Sequence, residues 1–423
     1  MSHKKAGTGE ETAGLNRRTV ITSAVLAAST LLVGAGAGAG AGIGAGAAHA
    51  RAAGGMTVRL PAPTGPYRTG VVDLHLVDRQ RRDPWDEARS VRELMVTVFY
   101  PARAVHGYPV APQMTPGTAA AFEAFDPVVW HKGLPGSGVD WAATATHSRT
   151  GAPALPGRRP VLLYTPGGAD PRTVGTLLAE DLASHGYVVV TVDHPGEPGG
   201  VEFPDGSIRE YSLPGTPELP QVFRAMIAAR LADLRFVLDE LTALVDTGRN
   251  SDAGGRRLPA GLGQALDLRR VGVYGHSAGG TAASEALYED RRIGAAVNLE
   301  GCLDWPAERP GEAGELLPVT LHGVDRPLLL FGTDGFRNAR FDRSWSAVHG
   351  HPQGRTAVHR LDGANHWVFT DYASLVPQLQ SAGLMTGEER RAMVGAIRPE
   401  RSVPAVRGRL RAFFARHMPV SCE

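Results

Sequence analysis

Cysteine and lysine are nearly absent from this chain. Two cysteines in 423 residues, Cys302 and Cys422, exclude a disulfide scaffold and a cysteine-rich metal site. The three lysines are Lys4, Lys5 and Lys132, so arginine carries almost all the positive charge. An excess of either sign is also missing. With 44 Lys+Arg against 43 Asp+Glu the net charge is +1, which lacks the basic surplus a nucleic-acid partner needs. No strongly apolar run reaches the ~20 residues of a membrane span. What remains is 43% hydrophobic and 21% charged residues, the balance of a globular chain that buries a large core.

The first fifty residues read as an address. Asn16-Arg17-Arg18-Thr19 is a twin-arginine pair, Val20–Val33 is apolar, and a Gly/Ala run continues to Ala47. Ala48-His49-Ala50 offers the small residues a signal peptidase reads. The segment resembles a twin-arginine secretion signal, 1–50, with cleavage expected after Ala50. Its removal leaves 40 basic and 41 acidic residues. The expectation is therefore a secreted, extracellular protein with no stable membrane span after cleavage.

Beyond residue 50 the pattern is one of alternating strands and helices. Val71–Val77 and Leu94–Tyr100 are β-rich and predict an antiparallel pair. Residues 102–158 are rich in Ala, Gly and Pro, show no period, and read as an insertion. Pro160–Tyr164 (PVLLY) and Tyr187–Val192 (YVVVTV) are continuous apolar runs, as in strands buried on both faces. Between them Val174–His185 predicts a helix. Leu219, Phe223, Ile227, Leu231, Leu234, Leu238 and Leu241 recur every three or four residues, one face of a long helix. Strands at Val271–Tyr274, Ile293–Leu299, Pro327–Phe331 and Thr356–Leu361 follow, with a helix at Ala278–Tyr288. The tail from Glu388 to Met418 predicts helix broken near Pro399 and Pro404. This alternation argues for one mostly parallel central sheet with helices on both faces, residues 51–423 forming a single domain.

Gly275-His276-Ser277-Ala278-Gly279 is a G-x-S-x-G sequence, weak by itself in a chain with 53 glycines. Its setting gives it weight: it ends the strand VGVY and opens the helix AGGTAASEALY. That is the strand–turn–helix of a nucleophile elbow. A serine nucleophile needs a base, itself held by an acid. Among 15 histidines, His366 follows the last predicted strand, in the sequence Asp362-Gly363-Ala364-Asn365-His366. Two carboxylates qualify as the acid. Glu300 ends AAVNLE and Asp334 follows PLLLF; either reaches His366, because adjacent strands lie about 4.8 Å apart. The carboxylate that does not serve is expected to cap a loop. For the oxyanion, the donors expected are the amide of Ala278 and that of Gly168, in the turn after PVLLY.

These residues carry a family resemblance. PVLLYTPGGADPRTVGTLLAEDLASHGYVVVTVDHPGE, VYGHSAGG, NLEG and LDGANHWVFTD resemble the platelet-activating-factor acetylhydrolase family of α/β-hydrolases, over roughly residues 63–380. The resemblance implies the α/β-hydrolase fold, a catalytic set of Ser277, Glu300 and His366, oxyanion donors Gly168 and Ala278, and no metal or cofactor. The family usually has aspartate at position 300, so glutamate there is a departure, and Asp334 stays as its substitute.

The chemistry expected is acyl transfer from a carboxylic ester, a small-molecule or lipid (phospholipid-like) ester, with no nucleic-acid partner. Alternatives are hydrolysis of polyesters or cutin-like polymers, an amidase or transacylase, and a non-catalytic binding protein. The insertion and the loop 196–217 are expected to shape the pocket. Trp130, Trp141 and Phe203 either line it or fill core, the latter preferred. In an exported protein Cys302 and Cys422 are free to pair if the fold brings them together.

Overall fold

Strands of continuous apolar sequence form the spine of the molecule. The computed structural model describes residues 55–309, 311–352 and 354–420; the twin-arginine segment and Cys422 lie outside them. These residues fall in one compact unit, Ala53–Glu423. The described residues form twelve strands: β1 (Thr69–Asp78), β2 (Arg92–Pro101), β3 (Val110–Pro112), β4 (Ala145–Thr150), β5 (Arg159–Thr165), β6 (Val188–Val192), β7 (Gly200–Glu202), β8 (Ile208–Glu210), β9 (Leu266–His276), β10 (Ile293–Leu299), β11 (Pro327–Thr333) and β12 (Arg355–Leu361). Ten make one sheet in the order β12-β11-β10-β9-β5-β6-β2-β1-β4-β3, and β7 and β8 form a separate hairpin.

The six strands from β12 to β6 run parallel. β2 and β1 are added antiparallel, with Leu74 opposite Val96. β5 shows why its sequence is apolar throughout. Side chains alternate across a strand: Leu162 and Tyr164 enter one apolar cluster, Val161 and Leu163 the other. Both faces are covered, so neither set is exposed to solvent. This is the α/β-hydrolase fold that the sequence predicts.

The helices that position the site are α1 (Pro116–Phe125), α2 (Thr176–Ser184), α3 (Pro220–Thr247), α4 (Ala278–Glu289), α5 (Ala339–His349), α6 (Tyr372–Ser381), α7 (Gly387–Val394) and α8 (Pro399–His417). Leu177, Leu182, Leu375, Leu379, Leu410 and Phe414 bring α2, α6 and α8 onto one face. Leu234, Leu238, Leu287, Trp345 and Val348 bring α3, α4 and α5 onto the other.

Two expectations need correction, and one helix is unforeseen. The insertion at 102–158 carries real structure: α1, and the edge strands β3 and β4, which join the main sheet. Pro404 does not break the tail but lies inside α8, where burial of Val403, Val406, Leu410 and Phe414 outweighs the lost hydrogen bond. α6, which holds Pro377 inside it, has no counterpart in the sequence reading.

Candidate active site

The parallel strands deliver their C-terminal ends to one edge, where open α/β sheets bind ligands. β9 ends at His276 and α4 starts at Ala278, so Ser277 alone makes the turn, at φ 54° and ψ −122°. The turn leaves no room for side chains beside it. A Cβ on Gly275 would come within 2.2 Å of the Gly279 carbonyl oxygen, and one on Gly279 within 2.0 Å of the Thr165 carbonyl oxygen. The Ser277 amide donates to Leu299 O at 2.9 Å, which ties the turn to the end of β10.

Non-glycine residues with positive φ are rare, and the described residues contain three: Ala169, Ser277 and Glu300. All three stand at strand ends on this edge. Strain of about 1–3 kcal/mol per residue is retained where the surroundings enforce it, typically at functional sites.

Glu300 follows β10 and turns its carboxylate to two partners. Oε1 accepts from the Thr333 amide at 2.5 Å and its hydroxyl at 2.7 Å. Oε2 lies 2.9 Å from His366 Nδ1. With Nδ1–H given to the carboxylate, a neutral ring keeps its lone pair on Nε2. His366 opens a short 3₁₀ turn, His366–Phe369. Its ring stacks on Phe336, centroids 3.9 Å apart, and packs against His276 at 4.5 Å. Burial, opposed by the two Thr333 bonds, pushes the Glu300 carboxyl up to about 7. Burial, together with the neighbouring His276, holds the His366 imidazole well below its ordinary value.

Asp334 is placed elsewhere. Its oxygens accept from the amides of Gly363 at 2.9 Å and Ala364 at 3.2 Å, so it caps the loop that carries His366. Gly168 and Ala278 come together across the elbow: a Cβ built on Gly168 would sit 3.8 Å from that of Ala278. Among the described residues neither amide has an acceptor.

A pocket of about 250 Å³ opens over Ser277, Ala278, Gly168 and Glu300, walled by Trp130, Phe223, Met226, Phe336 and Phe341. Trp141 and Phe203 are core, as expected. Trp130 lines the pocket instead, because the π-helical turn Asp126–Trp130 after α1 brings it over the site. Pro217 and Glu218, at the end of the 196–217 loop, stand at its rim. Cys302 is free and also lines the pocket.

A buried polar chain lies behind His366. Asp126 Oδ1 meets His131 Nδ1 at 2.8 Å, and His131 Nε2 lies 3.4 Å from Asp170. Asp170 Oδ2 lies 3.7 Å from His276 Nδ1, and His276 Nε2 donates to the His366 carbonyl at 3.0 Å. Asp126, His131 and Asp170 have atoms within 4.8 Å of one another, close enough for a metal ion. As placed, each of the two carboxylates pairs with a separate nitrogen of His131.

Thr333, Phe336, Arg230 and this chain are absent from the sequence reading. One signal for Arg230 was available: it lies three residues after Ile227 and four before Leu234, on the apolar face of α3.

No family model matches the chain. It is 25% identical over 372 residues to a probable 1-alkyl-2-acetylglycerophosphocholine esterase of Arthroderma benhamiae, covering 84% of this chain and 87% of the relative. Its fold is similar to that of a ferulic acid esterase from Streptomyces cinnamoneus: TM-score 0.66, 32% identity, 85% of this chain and 93% of the other covered. Fold, site and relatives together define a carboxylic ester hydrolase of the α/β-hydrolase class. Within that class, the similarity to the acetylglycerophosphocholine esterase agrees with the resemblance to the platelet-activating-factor acetylhydrolase family.

Proposed function

We propose that this chain is an exported serine esterase that cleaves lipid or phospholipid-like esters of short acyl chains. The observation that carries the reading is the Glu300–His366 hydrogen bond at 2.9 Å, beside a serine held in a strained elbow. In this reading His366 Nε2 takes the Ser277 proton as Oγ attacks the ester carbonyl. Glu300 keeps the ring in that tautomer and stabilises the imidazolium that forms. The amides of Gly168 and Ala278 hold the oxyanion. His366 returns the proton to the departing alcohol, and water, activated by the same base, releases the acid from the acyl-enzyme. Export follows from the twin-arginine segment. Among the described residues no helix is long and apolar enough to cross a membrane.

A second reading concerns the acyl group. The aromatic wall of Trp130, Phe223, Phe336 and Phe341 suits a flat aromatic acid as well as a short alkyl chain, and one relative is named a ferulic acid esterase.

The test uses p-nitrophenyl esters from acetate to palmitate, plus methyl ferulate, with Ser277→Ala alongside. Turnover lost in the variant and greatest on acetate or butyrate supports the first reading. Preference for methyl ferulate supports the second. Turnover greatest on palmitate overturns the short-chain assignment. No turnover on any ester overturns the esterase reading and favours an amidase, transacylase or binding role.

A further inference from the structure

Arg230 of α3 is fully buried, and its guanidinium reaches past the core to the turn after β5. Nη1 donates to the Pro166 carbonyl at 2.5 Å and to Thr165 Oγ1 at 3.3 Å. Nη2 donates to the Gly167 carbonyl at 2.9 Å. The counter-charge is Glu197, from the loop after β6, also fully buried. It accepts from Nη2 at 2.5 Å and from Nε at 3.0 Å.

The carbonyl of Gly167 and the amide of Gly168 belong to one peptide unit. No cis bond occurs among the described residues, and in a planar trans peptide C=O and N–H point in opposite directions. A guanidinium that draws the Gly167 carbonyl into the core therefore turns the Gly168 N–H outward. Gly168 lines the pocket beside Ser277 and Ala278, and its amide has no acceptor among the described residues. The contact has an electrostatic side too. A charged donor on the carbonyl polarises the peptide, and a polarised N–H is the stronger donor.

We propose that Arg230 is a positioning residue for ester hydrolysis, fixing and polarising the Gly167–Gly168 peptide so that its N–H meets the oxyanion. This rests on the reading of Ser277 as nucleophile and Gly168 as oxyanion donor. A purely structural role predicts something different. Replacing a buried ion pair by apolar residues of similar size is often neutral or stabilising, so the fold alone does not require this pair.

The decisive variant is the double substitution Arg230→Met with Glu197→Met, which removes both buried charges together. The expected result is a folded protein with KM for p-nitrophenyl acetate within about threefold of wild type. Its kcat should fall by about 10²–10³, as when one oxyanion donor is lost. Inhibition by phenylboronic acid, which forms a tetrahedral adduct on the serine, should weaken in step, whereas a structural role leaves it unchanged. Arg230→Lys, which keeps the charge beside Glu197 but not the two-pronged grip, should lose at least tenfold in kcat and less than the double variant. If the double variant does not fold, Arg230→Lys decides alone. A folded variant of either kind with kcat within about threefold of wild type overturns the proposal. Wild-type protein without esterase turnover, or Ser277→Ala that retains it, overturns the underlying reading instead.

Discussion

Glu300 Oε2 lies 2.9 Å from His366 Nδ1, although a glutamate stands where aspartate is usual in the family the chain resembles. The extra methylene is accommodated by the backbone: Glu300 adopts φ 62°, and Thr333 holds the second oxygen. The carboxylate is thus positioned by two hydrogen bonds and a strained backbone rather than by side-chain length. Glu300→Gln should lower kcat by about 10³–10⁴, the scale of losing the acid that sets a histidine tautomer. Asp334→Asn, on the loop amides, should cost less than about tenfold. Steady-state kinetics on p-nitrophenyl acetate separate the two, and the opposite order would move the acid role to Asp334.

The pH profile follows from the same pair. The proposed mechanism needs His366 neutral, to accept a proton, and Glu300 ionised, to hold the imidazolium. Burial keeps His366 below its ordinary value, so it is already neutral at neutral pH. Burial raises Glu300 to about 7, so its charge is lost as pH falls through that value. kcat/KM should therefore fall on the acid side with an apparent pKa near 7 that belongs to the pair. Thr333→Val removes a hydrogen bond that favours the ionised carboxylate, and should move this limb up by about one unit. An acid limb at or below pH 5, or one unmoved by Thr333→Val, would contradict this account.

Much of this site is legible in the sequence, and the illegible part has a physical reason. The buried strands announce themselves as PVLLY and YVVVTV, because a strand covered on both faces has no polar side. The elbow needs glycines on either side, so it leaves a pattern. His366 is found by its place after the last strand. Choosing between Glu300 and Asp334 is harder: both end neighbouring parallel strands, and only the backbone at 300 and the amides of 363 and 364 separate them. The insertion hides its helix because PGTAAAFEAF has little contrast between its faces. Trp130 in the pocket depends on contacts distant in sequence, which no local period reports; for Arg230 the period marks a charge on the apolar face of α3 but not its contact with the turn after β5.

A second buried carboxyl offers a test of stability away from the site. Glu285 of α4 accepts one hydrogen bond, from the Val319 amide at 3.2 Å, and its other oxygen is buried with no partner among the described residues. Burial raises it to about 7 from an ordinary 4.5. The folded state thus holds this proton more tightly than the unfolded state does. Below about pH 4.5 both states are protonated and the group is neutral in its effect. As pH rises through 7 the folded protein becomes less stable, because a buried charge must form. Glu285→Gln should therefore stabilise by about 1–3 kcal/mol at pH 8 and have little effect at pH 4. Denaturant melts at the two pH values measure this, and equal effects at both would refute it.

The strain at Ser277 makes the last prediction. At φ 54° and ψ −122° a Cβ is unfavourable, whereas glycine adopts this region at little cost. Ser277→Ala and Ser277→Gly both remove the proposed nucleophile, so both should be inactive. They differ in the Cβ alone. Ser277→Ala keeps the strain and Ser277→Gly releases it, which should make the glycine variant more stable by about 1 kcal/mol. This is the part of a 1–3 kcal/mol strain left after the extra chain entropy of glycine in the unfolded state. Thermal melts of the two inactive variants side by side measure the difference without interference from activity. A glycine variant that melts below the alanine variant would show that the elbow stores no strain at Ser277, and that its conformation is relaxed in this fold.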